Sequence, residues 1–167
     1  MDFTYCSTWQ GWLYVAFVLD VFSRRIVGWN ASATMTTDMT LRALDMAVWK
    51  RNRPLSGLRA HSDAGSQYAA LRYTERLADL DAAPSIGTVG DSYDNSMAES
   101  LNGIYKTELA KPAGPWKTRE QLEYATFEWV DWYNTRRLHE QIGMIPPAEK
   151  EAIHYASNHS QNQPVLA

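Results

Sequence analysis

The sequence is poor in cysteine, in long apolar runs and in net positive charge, and each shortage excludes something. The single cysteine, Cys6, cannot form a disulfide within the chain, which excludes a disulfide-stabilised scaffold and suits a reducing cytosol. No stretch approaches the roughly 20 apolar residues of a membrane span. No basic segment followed by an apolar run marks a signal peptide. We therefore expect a cytoplasmic protein without a membrane partner.

The net charge of −3 is unusual for a protein that binds DNA, because DNA-binding surfaces are generally basic. The average hides a local pattern, since several basic residues lie in the second half of the chain: Lys106, Lys111, Lys117, Arg119, Arg136 and Arg137. Acidic residues that hold a metal also lower the total without repelling DNA once the metal is bound. Net charge therefore neither supports nor excludes DNA binding.

The hydrophobic pattern predicts one α/β domain over residues 1–156, followed by a polar, flexible tail at 157–167. Aromatic and β-branched residues in the first thirty positions predict three short antiparallel strands. Beyond them the pattern predicts helices over 37–51, 67–80, 96–110, 118–137 and 147–155, strands over 58–61 and 84–89, and a polar loop from Gly87 to Asn95. This order predicts a mixed sheet flanked by helices, as in the ribonuclease-H-like fold.

Three acidic residues stand out by their positions. Asp2 begins the first strand, Asp63 follows the short strand 58–61, and Glu99 lies early in the helix predicted after the polar loop. Side chains beyond strand ends commonly meet at one edge of an open sheet. Clustered carboxylates repel one another unless cations lie between them, and ligands that are all oxygen favour Mg²⁺ or Mn²⁺. Taken singly, each acid could instead be a solvated surface residue, so the pattern alone leaves the site open.

The surrounding motifs resemble those of the DDE recombinases, in the retroviral-integrase superfamily, and more narrowly the OrfB product of insertion-sequence family three. Asp63 and Glu99 are separated by 35 residues, the spacing of that family's signature. The matching strings occur in family order: DFTY, GWLYVAFVLDVFSRRIVGW, HSDAGSQY, GDSYDNSMAESLNGIYKTEL and WVDWYNTRRLH with IPPAE. The resemblance runs from Asp2 to about Tyr155. It implies a transposase catalytic domain that hydrolyses phosphodiesters and transfers strands at the ends of an insertion element.

The resemblance also implies roles for individual residues. Asp2, Asp63 and Glu99 would hold two Mg²⁺ or Mn²⁺ ions, and Lys106 would contact the DNA of the transposon end. Further DNA contacts are expected from Tyr93, Asn95, Ser96, Arg136 and Arg137. For Lys106, Arg136 and Arg137 the alternative is an ordinary solvated side chain, and for Tyr93 it is a packing role. Asp20 is expected to pair with Arg24 or Arg25 rather than to bind metal.

The expected partners are transposon-end and target DNA, other copies of the chain, and a helix-turn-helix protein from an upstream frame. The last is expected because no helix-turn-helix region is visible in this sequence. The protein would associate with the nucleoid while acting. Since the sequence begins one residue before Asp2, a frayed first strand would misplace that carboxylate. Two other interpretations are therefore a truncated, inactive remnant that binds DNA or a transposase, and a nuclease of related fold without strand transfer.

Overall fold

The computed structural model describes residues 1–51, 55–62, 71–86 and 92–161. In chain order, its strands and helices are β1 (Asp2–Thr8), β2 (Gly11–Leu19), β3 (Ile26–Ser32), α1 (Thr37–Arg51), β4 (Arg59–Ser62), α2 (Leu71–Asp79), β5 (Ala83–Ile86), α3 (Ser92–Tyr105), α4 (Arg119–Thr135) and α5 (Pro147–Gln161). A π-helical turn, Lys106–Ala110, extends α3, and a 3-10 turn spans Glu140–Ile142. None of the described helices is both long enough and apolar enough to cross a membrane.

Two sheets form the centre of the fold. β1, β2 and β3 are antiparallel in that order, and β4 pairs with β5 in parallel. They adjoin where the amino group of Met1 donates a hydrogen bond to the carbonyl of His61 at 2.8 Å. Met1 and Phe3 also pack with Ala60 around Leu77 of α2. The start of β1 therefore lies next to the end of β4.

Helices cover both faces of the three-stranded sheet. On one face α3 and α4 pack on β2, and a chain of aromatic rings joins Phe17, Tyr105, Trp129 and Tyr133 with centroid separations of 5.1–5.2 Å. On the other face α1 approaches so closely that a Cβ on Gly28 would lie 2.1 Å from the carbonyl oxygen of Ala43. Glycine is therefore required at this crossing, since no larger residue fits.

Polar contacts between distant residues fix the edges of the fold. The side-chain amide of Asn134 accepts from the backbone N–H of Ile26 at 2.8 Å and donates to its carbonyl at 2.9 Å. Buried Glu151 of α5 pairs with both Arg25 and Arg51. These contacts attach α4 and α5 to the start of β3, at the end of the sheet opposite the β1–β2 turn.

The structure corrects three expectations about local structure and ion pairing. Helix α5 extends to Gln161 rather than ending at 155, so it includes the first residues assigned to the tail. Residues 92–95, expected to lie in a loop, form the first turn of α3. The carboxylate of Asp20 pairs with Arg51, not with Arg24 or Arg25, and its other oxygen accepts the N–H groups of Phe22 and Ser23. Arg24 and Arg25 contact Asp20 only through the backbone.

Candidate active site

Asp2 is held in place by the first strand and by α3. It lies opposite Phe17 of β2 in the register of the sheet. Its Oδ1 accepts the backbone N–H of Phe3 at 2.8 Å, and its Oδ2 accepts the side-chain amide of Asn102 at 2.7 Å. The same amide nitrogen donates to the carbonyl of Phe3 at 3.2 Å. The carboxylate is thus oriented towards α3 from the strand end.

Glu99 and Asn102 lie on the same face of α3, since residues three apart on a helix are neighbours. Glu99 is exposed to solvent. Because Asn102 contacts Asp2 directly, this face of α3 is turned towards the start of β1, which places the two acids on neighbouring elements. Asn102 is a site residue that the sequence analysis missed. Its spacing from Glu99 was a usable signal, because it predicts a shared face.

The side-chain oxygen of Asn102 is buried and accepts no hydrogen bond from any residue that the structure describes. The orientation of the amide follows from its surroundings, because the nitrogen faces two acceptors, Asp2 Oδ2 and the carbonyl of Phe3. A buried oxygen without a donor is an acceptor for a cation or for its bound water. The donor set of carboxylates and an amide oxygen therefore fits Mg²⁺ or Mn²⁺.

Asp63 lies outside the described residues, but the strand that precedes it does not. β4 ends at Ser62, and its His61 carbonyl accepts from Met1, the residue before Asp2. Ser62, the last described residue before position 63, therefore lies at the end of β4 that adjoins the start of β1. Within the described part of the chain, no group of three or more His, Cys, Asp or Glu side chains could hold a metal ion.

Lys106 follows the same stripe of α3 as Glu99 and Asn102. It is half-buried, begins the π-helical turn, and places its Nζ 5.2 Å from the ring centroid of Tyr5 on β1. Asn102 meets Asp2 and Phe3, and Lys106 meets Tyr5, so the stripe runs along β1. Within the ranges that the structure describes, the lysine ammonium contacts this aromatic ring and forms no ion pair with an acid.

The other expected DNA-contact residues differ in their surroundings. Ser96 is exposed on the first turns of α3, while the side chains of Tyr93 and Asn95 lie outside the description. Arg136 is exposed, and its guanidinium is 3.8 Å from Asp131. Arg137 instead makes a two-pronged contact with Glu108, with N–O distances of 2.8–3.1 Å. Of the two arginines, Arg136 is the freer to meet a phosphate.

Cys6 does not provide a nucleophile. Burial raises the pKa of its thiol, and the positive charge of Lys106 opposes that rise only in part. The thiol packs in the core beneath the sheet. The described part of this site therefore offers oxygen atoms rather than a thiolate.

Two family models described as integrase core domain match residues 1–92 and residues 80–147. The transposase for insertion sequence element IS629 of Shigella sonnei is 55% identical over 156 residues, covering 93% of this chain and 52% of that protein. The chain belongs to the integrase core domain family.

Two other relatives agree with this assignment. A protein of the element IS986/IS6110 of Mycobacterium tuberculosis is 51% identical over 159 residues, covering 93% of this chain and 57% of its own length. Transposase InsF of insertion sequence IS3A of Escherichia coli is 34% identical over 151 residues, covering 90% of this chain and 52% of that protein. This integrase-core chain therefore spans about half the length of the relatives it matches.

Solved structures confirm the ribonuclease-H-like fold. The integrase catalytic core of HTLV-2, in complex with magnesium, has a TM-score of 0.66 and 16% identity, covering 89% of this chain and 93% of that one. The catalytic core of BIV integrase has a TM-score of 0.63 and 20% identity, covering 97% of each chain. At these identities the likeness establishes the fold alone.

Proposed function

We propose that this chain is the catalytic core of an insertion-element transposase, which hydrolyses a phosphodiester at each element end and joins the freed 3′-hydroxyl to target DNA. Asp2, Asp63 and Glu99 would together hold two Mg²⁺ or Mn²⁺ ions. Bound there, such ions lower the pKa of an attacking water or hydroxyl and stabilise the leaving oxygen. The protein's own part is to hold three carboxylates at one sheet edge.

One observation carries this proposal: the hydrogen bond from Asn102 to Asp2. It connects the start of β1 to the face of α3 that bears Glu99, although the two acids are far apart in sequence. The Met1–His61 hydrogen bond brings the end of β4 to the same place. The start of β1, the face of α3 that bears Glu99 and the end of β4, one residue before Asp63, therefore lie near one another, which supports a shared metal site.

The residues around these acids have supporting roles in the proposal. Asn102 orients the Asp2 carboxylate and offers its own oxygen to a metal-bound water. Lys106, one further turn along α3, binds a phosphate of the transposon end, and exposed Ser96 and Arg136 meet the DNA backbone. Tyr93 and Asn95 contact the DNA end from the first turn of α3.

The partners in this proposal are transposon-end and target DNA, further copies of the chain, and a protein or segment that carries a helix-turn-helix. The HTLV-2 integrase core is described in trimeric and dimeric forms, which supports oligomerisation of this fold. We place the protein in the bacterial cytoplasm, on the nucleoid while it acts.

The test combines metal binding with catalysis. We expect Mn²⁺ to raise the thermal midpoint of the chain, because a ligand that binds only the folded state stabilises it. We also expect Mn²⁺-dependent nicking of a labelled terminal-repeat duplex and joining of the product to a second duplex. Asp63→Asn and Glu99→Gln should abolish all three effects. Glu123→Gln, which changes an exposed glutamate on α4, is the matched control and should preserve them.

The outcomes separate the alternatives. A metal-dependent rise in the midpoint that survives Asp63→Asn and Glu99→Gln contradicts the proposed site. DNA binding with neither metal binding nor nicking indicates an inactive remnant. Nicking that releases 3′-hydroxyl ends and never joins them indicates a nuclease.

A further inference from the structure

The hairpin formed by β1 and β2 carries four aromatic rings, three of them exposed, that the proposed chemistry does not use. We call Tyr5, Trp9, Trp12 and Tyr14 the hairpin patch. Tyr5 is 50% exposed, Trp9 70% and Trp12 50%. The ring of Tyr5 meets Trp12 edge-on at 5.2 Å and Tyr14 at 6.0 Å between centroids. Tyr5, Trp12 and Tyr14 therefore form a connected aromatic surface, and the exposed ring of Trp9 lies on the adjoining turn.

Positive charges surround this surface. The ammonium of Lys106 lies 5.2 Å from the centroid of Tyr5, and that of Lys117 lies 6.0 Å from the centroid of Trp9. Arg119 donates from Nε to the carbonyl of Trp12 at 3.1 Å, which fixes its guanidinium beside the turn. Three cations thus border the rings on one side of the hairpin.

The hairpin itself contributes no opposing charge. No residue from 3 to 19 is acidic or basic, so the patch carries no carboxylate of its own. Glu120 follows Arg119 in α4, but hydrogen bonds from its own N–H and from the Thr118 hydroxyl, together with Arg119, lower the pKa of its carboxyl. This carboxylate lies in the first turn of α4, outside the hairpin.

The position of the patch relates it to the active site. Lys106 lies seven residues after Glu99, which is roughly 10 Å along a helix axis. Lys106 contacts Tyr5, and Tyr5 contacts Trp12, so the patch begins where the stripe on α3 ends. A strand of DNA leaving the active site along Lys106 would meet these rings next.

We propose that the hairpin patch binds single-stranded DNA next to the strand end held in the active site, a proposal that rests on the proposed function. Exposed rings bordered by cations match the two parts of a nucleic-acid strand, because bases stack on the rings and phosphates meet the cations. A duplex fits less well, since its base faces are already stacked on one another. The occupant is thus an unpaired segment at the element end.

The test measures binding in EDTA, so that metal and catalysis play no part. The probe is a fluorescein-labelled oligothymidylate of about 15 nucleotides, read by fluorescence anisotropy. We expect Trp9→Ala and Trp12→Ala each to weaken binding at least about fivefold, the lower end of measured base-stacking effects. Lys117→Ala should weaken binding and reduce the slope of log affinity against log salt by roughly one.

Two further variants make the result specific. Trp49→Ala is the matched control, because Trp49 is 80% exposed but lies at the end of α1, opposite the hairpin turn. It should bind as the wild type does. Trp12→Phe keeps an aromatic face and should recover most of the affinity lost in Trp12→Ala. Thermal melting of each variant shows whether the fold is retained.

Wild-type affinity in Trp9→Ala and Trp12→Ala would overturn the proposal. If those variants also lost self-association in sedimentation, the patch would instead be an interface between copies of the chain. The proposed function fails separately. If Mn²⁺-dependent nicking is absent while the tryptophan variants still lose single-strand binding, the patch stands and the catalytic proposal falls.

Discussion

Removing the side chain of Asn102 tests how the fold orients Asp2. In Asn102→Ala, the carboxylate loses its donor at 2.7 Å and the Phe3 carbonyl loses one at 3.2 Å. A hydrogen bond to a charged group contributes about 1.5–3 kcal/mol. Asn102 is half-buried, so water replaces part of the loss and we take the lower end, about 1.5 kcal/mol. At 2–4 °C per kcal/mol for a chain of this size, the midpoint should fall by roughly 3–6 °C.

The same change should weaken metal binding. Residues that orient a metal ligand typically contribute about 10- to 100-fold in affinity. A tenfold loss corresponds to about 1.4 kcal/mol at saturating metal, so the Mn²⁺-induced rise should shrink by roughly another 3–6 °C. Differential scanning fluorimetry with and without Mn²⁺ measures both effects. Ser100→Ala, an exposed neighbour on α3, is the control. Wild-type melting with a full response to Mn²⁺ in Asn102→Ala would refute the role given to this residue.

Three further predictions concern the fold. Glu151→Gln removes the charge shared by Arg25 and Arg51 and should lower the free energy of unfolding, measured in urea, by about 2 kcal/mol. Glu149→Gln is the control and should leave that free energy unchanged. Gly28→Ala places a methyl 2.1 Å from the carbonyl oxygen of Ala43. We expect either no folded product or a free energy of unfolding lower by about 3 kcal/mol. A thermal midpoint equal to that of the wild type would contradict this prediction. Burial, and then Arg137, lower the pKa of His139 below 6.5, so the folded state favours the neutral ring. Stability should be full above pH 6.5 and fall as the pH drops through the lowered pKa, and the fall should be smaller in His139→Phe.

Much of the fold could be predicted because its signals are local. The apolar pattern predicted a helix over 37–51, and the structure confirms it as α1, Thr37–Arg51. The helix predicted from 118 begins as α4 directly after Thr118, whose side chain accepts from the N–H of Gln121 at 3.1 Å. The side chain of Gln121 in turn accepts from the backbone N–H of Lys117 at 3.2 Å.

Errors arose where distant residues decide the outcome. The polar residues 92–95 resemble a loop in sequence, yet they form a helical turn. Asp20 has two arginines four and five residues away, but the fold brings Arg51 to it instead. The π-helical turn at 106–110 also had no signal in the spacing of apolar residues.

The site could be predicted only in part, because its motifs are local in sequence but its contacts join distant residues. Motif spacing identified Asp2, Asp63 and Glu99 as candidates, and the structure brings the segments around Asp2 and Glu99 together. The spacing of Asn102 from Glu99 indicated a shared helix face, but its partner Asp2 lies 100 residues away in sequence and no local pattern identifies that contact. The roles of all these residues as ligands stay predictions.

The most direct measurement is a crystal structure of the chain grown with Mn²⁺, with the ions located by anomalous scattering. The account predicts ions within about 2.0–2.3 Å of carboxylate oxygens from Asp2, Asp63 and Glu99, with Asn102 beside a bound water. Ions bound elsewhere, or three carboxylates that share no ion under saturating Mn²⁺, would contradict the claim that this sheet edge is the catalytic centre.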